Sequence, residues 1–347
     1  MKILQDLTVE ELKILMQSLG EKPFRAGQIF RALSSGRKIS EITDISNALR
    51  TLLLQSYEDE PVKIIKKLLS KDGTEKYLFA LSDGNIVEGV FMKNKYGNTQ
   101  CLSTQVGCRM GCKFCASTIG GLVRNLTAGE MYATVCAVNK QGGGSLDKRA
   151  VTNVVLMGSG EPFDNYDQVV KFLRLVSCKD GLNISPRNIS LSTCGLVPEM
   201  YKFAEENLPV NLTVSLHNPF DNERQKLMPI AKAYKISEIL SACDNYFNKT
   251  GRRFIFEYTL VKGVNDNSDC IIELIKLLKS RPCHVNVIRL NEVKENGLKS
   301  VDDKNAYRFV AELQKGGLSA TVRRLNGADI DGACGQLRRS HLEGERV

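Results

Sequence analysis

The chain has 347 residues, 42% of them hydrophobic and 25% charged, with 11 Cys against 3 His and no Trp. Apolar content of this kind, spread among 28 Gly and 9 Pro, describes a globular protein with a sizeable core and excludes disordered and fibrous classes. No apolar run approaches the roughly 18 residues that a membrane span requires. Residues 1–19 mix charge with Leu and Ile at helical spacing and lack the pattern of a signal peptide, so a cytoplasmic location is expected. In a reducing compartment eleven cysteines make a poor disulfide scaffold. The net charge of +9 agrees with a nucleic-acid partner without requiring one.

In chain order, the periodicity predicts short helices over Val9–Leu19, Arg25–Leu33 and Ile42–Leu54, separated by turns at Gly20–Pro23 and Gly36. Residues 62–92 then alternate in the manner of strands, clearest at Lys76–Ala80 and Asn85–Phe91 with Asp83-Gly84 as the hairpin turn. Beyond Lys95 strands and helices alternate. The strands expected are Gln100–Thr104, Asn153–Met157, Asn188–Thr193, Asn211–Leu216, Phe254–Val261, His284–Leu290 and Thr321–Leu325. Between them helices are expected at Tyr166–Val176, Val197–Glu206, Ile236–Thr250, Ser268–Lys279 and Lys304–Lys315, and Gly142–Gly144 reads as a flexible loop. This pattern predicts an α/β fold, a partial (βα)6-type barrel. The expected division is a helical and β accessory domain at 1–94, the barrel at 95–325, and a C-terminal segment at 326–347. In such folds the C-terminal ends of the strands carry the active site.

The most specific feature is Cys108-Arg-Met-Gly-Cys112-Lys-Phe-Cys115, in the loop after the first barrel strand. Three thiolates on a short loop can bind three irons of a [4Fe-4S] cluster and leave the fourth iron open for chemistry. Gly107 and Gly111 would let the backbone fold tightly, and Phe114 would shield one face. A structural zinc site would want a fourth ligand, and a ferredoxin-like module would supply a fourth Cys nearby. Neither has one here.

A C-x3-C-x2-C run with an aromatic before the last Cys resembles the radical S-adenosylmethionine (SAM) superfamily. That resemblance implies SAM bound at the open iron. Met157-Gly-Ser-Gly160-Glu161-Pro162 follows the second strand and looks like the superfamily's GEP motif, in which Glu161 would receive the methionine ammonium group. Ser192, Ser215-Leu216-His217 and Asn291 end later strands and complete the expected SAM site, although a Ser at a strand end is more often a helix cap.

The similarity extends over nearly the whole chain. Cys101-Leu-Ser-Thr-Gln105-Val-Gly107-Cys108, Arg124-Asn125-Leu126-Thr127, Leu227-Met228-Pro229-Ile230 and Asp331-Gly-Ala-Cys334-Gly-Gln336-Leu resemble the radical SAM RNA-adenine methyltransferases. Within that family, Gly160-Glu161-Pro162 and Gln105-Val106-Gly107 look more like the enzymes acting on adenine C2 in 23S rRNA and tRNA than the resistance relatives acting on C8.

The resemblance implies two SAM per turnover. One would methylate Cys334, and the other would yield a deoxyadenosyl radical that abstracts hydrogen from the S-methyl group. The resulting carbon radical would add to C2, tethering RNA to Cys334; Glu88 would act as general base, and Cys101 would attack the Cys334 sulfur to release the product. From pattern alone Glu88 reads as a residue on the solvated strand face, and only the resemblance points to a base there. The remaining Cys136, Cys178, Cys194, Cys243, Cys270 and Cys283 read as core residues. An electron donor such as flavodoxin, a monomer and no membrane partner are also expected. Phosphate contacts would come from Lys66-Lys67, Arg323-Arg324, Arg338-Arg339 and the Arg25, Arg31 and Arg37-Lys38 region. The reading of another class is a non-catalytic iron-sulfur protein that binds RNA or senses redox state.

Overall fold

The computed structural model describes residues 1–292, 297–330 and 344. The N-terminal helices are α1 (Val9–Ser18), α2 (Arg25–Ser34) and α3 (Asn47–Ser56). Thr8 opens α1 with a reciprocal cap: its hydroxyl accepts from Glu11 N, and the Glu11 carboxylate accepts from Thr8 N. The third helix begins five residues later than its apolar spacing suggests. Ser46 takes the N-cap and accepts from Leu49 N, while Ile39–Glu41 forms a separate short turn.

A meander of β1 (Val62–Leu69), β2 (Glu75–Leu81) and β3 (Ile86–Met92) follows. It runs antiparallel into β4 (Thr99–Leu102), so the meander extends the same sheet that the barrel strands build. The chain then makes a small hairpin of β5 (Gln105–Gly107) and β6 (Leu122–Asn125) around the cysteine loop. From α4 (Ala128–Gln141) onward strands and helices alternate. The strands are β7 (Asn153–Leu156), β8 (Ile189–Thr193), β9 (Asn211–Ser215), β10 (Phe254–Leu260), β11 (Cys283–Arg289) and β12 (Ala320–Val322). The helices are α5 (Tyr166–Val176), α6 (Val197–Ala204), α7 (Asp221–Leu227), α8 (Ile236–Thr250), α9 (Ser268–Leu278) and α10 (Asp303–Lys315).

Among the described residues, ten strands form one sheet in the order β1-β2-β3-β4-β7-β8-β9-β10-β11-β12, parallel from β4 onward. The sheet has two ends and is a partial barrel, as the sequence predicts. All seven barrel strands read from the sequence are present, and boundaries move by a few residues. The Gly142–Gly144 turn is pinned: Gly144 N donates to Asn139 O, and the buried Asn139 side chain accepts from Ala150 N and Val151 N.

Strand alternation gives the sheet two chemically different faces. Val154, Leu156, Leu191, Leu212, Val214, Phe256, Tyr258, Val285 and Val287 are at most 1% exposed and form the outer face with the helices. Each such side chain contributes about 1.5–3 kcal/mol by burial. Register places Cys101, Val155, Ser190 and Asn211 on the opposite face, together with Ser215, Glu257, Asn286 and Thr321. A row of small and polar side chains there leaves room that a packed core would fill.

Candidate functional site

The cysteine loop leaves β5 at Gly107, whose φ of +80° is open to glycine. A Cβ at Gly107 would lie 2.0 Å from Gly121 O, the carbonyl that accepts from Cys108 N. Gly111, at φ +70°, makes the second tight bend. Cys112 O accepts from Cys115 N, and the Thr118 hydroxyl donates to Cys115 O, closing the loop on itself. Cys108 and Cys112 are buried and Cys115 is half-buried.

The turn after β7 meets this loop, with the Ser117 and Ser159 hydroxyls 3.0 Å apart. Gly160, at φ +114°, lies so close to Thr104 and Gln105 that a Cβ would meet their atoms at 2.6–2.8 Å. Gln105 is fully buried and organises the turn: its Oε1 accepts from Glu161 N, and its Nε2 donates to Asn125 and Asp164. The Glu161 carboxylate, 4% exposed, accepts from Phe163 N at 3.0 Å and Cys194 N at 2.7 Å. Burial pushes its pKa up, and those two N–H groups oppose the shift. Each oxygen keeps a lone pair for a cationic ligand group.

His217 is buried in the left-handed region, at φ +56°. Its Nδ1 accepts from Thr259 N at 3.0 Å, which leaves the ring proton on Nε2. Burial, aided by the Arg224 charge, holds its pKa down to about 3. The ring stands edge-on to Phe114, 4.5 Å between centroids, so the aromatic of the cysteine run reaches the end of β9.

These parts line one cavity of about 210 Å³: Cys108, Cys112, Cys115, Gly160, Glu161, Ser192, Ser215 and His217 all border it. The donor set suits an iron-sulfur cluster. Burial pushes Cys108 up to about 12 and Cys112 higher still, and each thiolate would repel the others, so the loop needs a multivalent cation to be stable as thiolates. No three His, Cys, Asp or Glu side chains among the described residues gather as ligands of one metal ion. A four-iron cluster takes one thiolate per iron and does not require such convergence. The nearby polar atoms suit a zwitterionic nucleoside ligand: Glu161 for an ammonium group, and hydroxyls from Ser192 and Ser215.

Two of the expected residues, Leu216 and Asn291, stand away from the cavity. Leu216 is fully buried, with its backbone engaged with β10 and Arg224. Asn291 is exposed and does not border the cavity. Cys334 lies outside the described residues, as do Gln336 and Arg338-Arg339. Glu88 and Cys101 are buried, 4% and 6% exposed. Antiparallel pairing of Val90 with Cys101 puts Glu88 and Cys101 on the same inner face of the sheet. Lys76 Nζ lies 3.4 Å from Glu88 Oε2.

Several site residues escaped the sequence reading. Cys194, expected in the core, borders the cavity and donates its backbone N–H to Glu161. Glu257, on β10, lines the cavity with an Oε2 that makes no hydrogen bond, and Arg323 Nη1 stands 3.6 Å from it. Arg323 therefore faces the site, where a phosphate contact was expected. Of the other basic candidates, Lys66 is exposed on β1. Lys67, Arg37 and Lys38 pair with Glu75, Asp44 and Glu60, and Arg31 reaches Asp180 at 4.0 Å. Arg25 donates to Gln28 and to Asp44 O. Arg124 forks onto Glu130, which caps α4 with Thr127.

Comparison with known proteins agrees with this geometry. Residues 102–278 match the radical SAM superfamily, and residues 3–58 match the ribosomal RNA large subunit methyltransferase N-terminal domain. Relatives named probable dual-specificity RNA methyltransferase RlmN are 50% identical to the chain in both Lachnoclostridium phytofermentans and Finegoldia magna. The first match covers 97% of this chain and 94% of the relative, the second 98% and 97%. The crystal structure of a radical SAM methyltransferase from Sphaerobacter thermophilus superposes with a TM-score of 0.92 at 39% identity, covering 97% of this chain and 99% of that one. No helix among the described residues is long and apolar enough to cross a membrane. The chain belongs to the radical SAM superfamily and, within it, to the RlmN family of dual-specificity RNA methyltransferases.

Proposed function

We propose that the protein forms 2-methyladenosine in 23S rRNA, in the peptidyl-transferase region, and in tRNA next to the anticodon. The observation that carries this reading is the single cavity bordered by the three cysteines of the loop, Glu161, Ser192, Ser215 and His217. Cys108, Cys112 and Cys115 hold one [4Fe-4S] cluster. Glu161 and Gly160 receive the methionine end of SAM, and Ser192, Ser215 and His217, which border the same cavity, receive the remainder. The cluster and two SAM per turnover supply a methyl group and a carbon-centred radical.

The residues then divide the work. Cys334, as a thiolate, accepts a methyl group and becomes the covalent carrier between protein and adenine. Glu88, buried on the inner face, takes the C2 proton of the tethered base. The Cys101 thiolate attacks the Cys334 sulfur, forming a disulfide as the Cys334–carbon bond breaks; the released carbon takes up a proton to become the methyl group, and the one surplus electron from the radical addition would return to the cluster. Adenine C2 is electron-poor and lacks a nucleophilic lone pair for ordinary methyl transfer, which is why a covalent carrier and a radical route suit it. The base must leave its stack to be reached, so the substrate is a loop or a melted helix. The protein works as a cytoplasmic monomer, with electrons from a flavodoxin-class donor.

The test is anaerobic reconstitution with iron, sulfide, SAM, reductant and rRNA or tRNA fragments, followed by mass spectrometry of the digested RNA. A 2-methyladenosine product is expected. An 8-methyladenosine product would assign the chain to the C8 chemistry, and RNA binding without SAM cleavage would make it a non-catalytic iron-sulfur protein.

A further inference from the structure

Arg224, on the short helix α7, is fully buried. Its Nε donates to Leu216 O at 3.0 Å, and its Nη2 donates to Cys194 O at 2.8 Å and Ser215 O at 3.0 Å. Those carbonyls stand where β8 and β9 end, so one guanidinium ties together the two strand ends that border the cavity. Its Nη1 is buried and makes no hydrogen bond. Among the described residues no carboxylate forms an ion pair with it, and Asp221 acts on it only weakly and at a distance. A cation buried on neutral carbonyls is costly unless an anion stands nearby.

The cysteine loop sits on the same segment. Lys113 N donates to Leu227 O at 2.9 Å, and the bend at Gly111 faces the Pro229 ring. Cys112, Cys194, Leu227 and Met228 form one buried apolar cluster, with Phe114 and Cys115 packed against it. Arg224 and the Cys112 thiol are near enough to act on each other electrostatically.

We infer that Arg224 is a positioning residue that provides the countercharge for the iron-sulfur cluster, and that its buried, unpaired guanidinium raises the potential at which the cluster accepts an electron. This rests on the cluster proposed above. A [4Fe-4S]2+ core with three thiolates carries one net negative charge, and one-electron reduction makes it two. A fixed cation in a low-dielectric setting stabilises the second state more than the first. The same charge helps three crowded thiolates to coexist. The residue therefore joins two tasks, the seating of the loop and the tuning of the site, in one side chain.

The test compares wild type, R224Q and R224K after anaerobic reconstitution, measuring iron and sulfide per chain and following the reduced cluster by electron paramagnetic resonance during a dithionite titration. R224Q is expected to load a cluster with a midpoint potential below wild type. R224K keeps the charge while losing the fork, and is expected to stay near the wild-type value. A loaded R224Q with unchanged potential overturns the inference. If R224Q does not retain a cluster, R224K decides: a wild-type potential supports the inference and a lowered one overturns it. Loss of the cluster in both variants, with the fold intact by circular dichroism, would assign Arg224 to loop seating alone and also overturn it. Failure of the wild type to take up a cluster would instead refute the proposed function.

Discussion

Lys76 Nζ and Glu88 Oε2 stand 3.4 Å apart, with side chains 0% and 4% exposed. Paired strands hold them: Lys76 lies opposite Val90, and Glu88 opposite Leu78, so both side chains enter the inner face that also carries Cys101. A lysine and a glutamate buried side by side depend on each other, because removing one takes a countercharge away from the buried charge that remains. K76M should destabilise the protein by about 3–5 kcal/mol, and E88Q by a comparable amount. The double variant K76M/E88Q should recover part of the loss, with a coupling energy of about 1–3 kcal/mol. Urea unfolding of the four proteins checks this, and simple additivity would rule out the coupling.

The cysteine loop should be unusually intolerant at its first residue. Gly107 combines a positive φ with a carbonyl that a Cβ would reach at 2.0 Å, whereas Gly120 has a positive φ of +91° but nothing within 4 Å. G120A should cost about 1–3 kcal/mol for backbone strain and still load iron. G107A must also displace Gly121 O, the partner of Cys108 N, so its iron content after reconstitution should fall well below that of G120A. Equal iron content in the two variants would show that the close approach does not shape the loop.

The parts of this architecture that were legible in the sequence are those with a local signature. Alternating apolar runs gave all seven barrel strands, because burial of Val154 and Leu156 or of Leu212 and Val214 follows directly from strand periodicity. The C-x3-C-x2-C spacing and the glycine turn at Gly160 were equally readable, since both depend on adjacent residues. What stayed hidden depends on contacts distant in sequence. Arg224 lies in α7, where every residue but Leu227 is polar and nothing local singles it out, yet it is fully buried under three carbonyls at the ends of β8 and β9. Cys194 reads as core, and only the approach of Glu161 from the preceding unit shows that it borders the cavity. The start of α3 was misplaced for a local reason, since apolar Ile42 and Ile45 continue the helical spacing ahead of the Ser46 cap.

Cys101 and Glu88 share a face but are assigned different steps, and trapping experiments can separate them. With C101A the protein–RNA tether should have no thiol to resolve it, so RNA should remain attached after denaturation and appear as a shifted band on a denaturing gel. With E88Q the tether should also persist, but adenine labelled with deuterium at C2 should keep its label in the adduct. Free RNA alone from C101A would argue against its resolving role, and loss of deuterium in E88Q would move the base elsewhere.

His217 gives a prediction about acid stability. Burial, with the Arg224 charge as a smaller cause, holds its pKa down to about 3, against about 6.5 for an unfolded histidine. As pH falls below about 6.5 the unfolded chain takes up a proton that the folded protein refuses. The stability due to neutral His217 is therefore complete above that value and is lost progressively as pH drops, by at most about 1.4 kcal/mol per pH unit. Glu161 and Glu257 are shifted up by burial and act in the opposite direction, so the contribution of His217 must be taken as a difference between variants. H217N is the suitable control: Asn tolerates the left-handed backbone at φ +56°, and its side-chain oxygen can accept from Thr259 N as Nδ1 does. Between about pH 7 and pH 5, unfolding midpoints of the cluster-free protein should fall more steeply for wild type than for H217N. Parallel slopes would mean that His217 takes up its proton equally in the folded and unfolded chains.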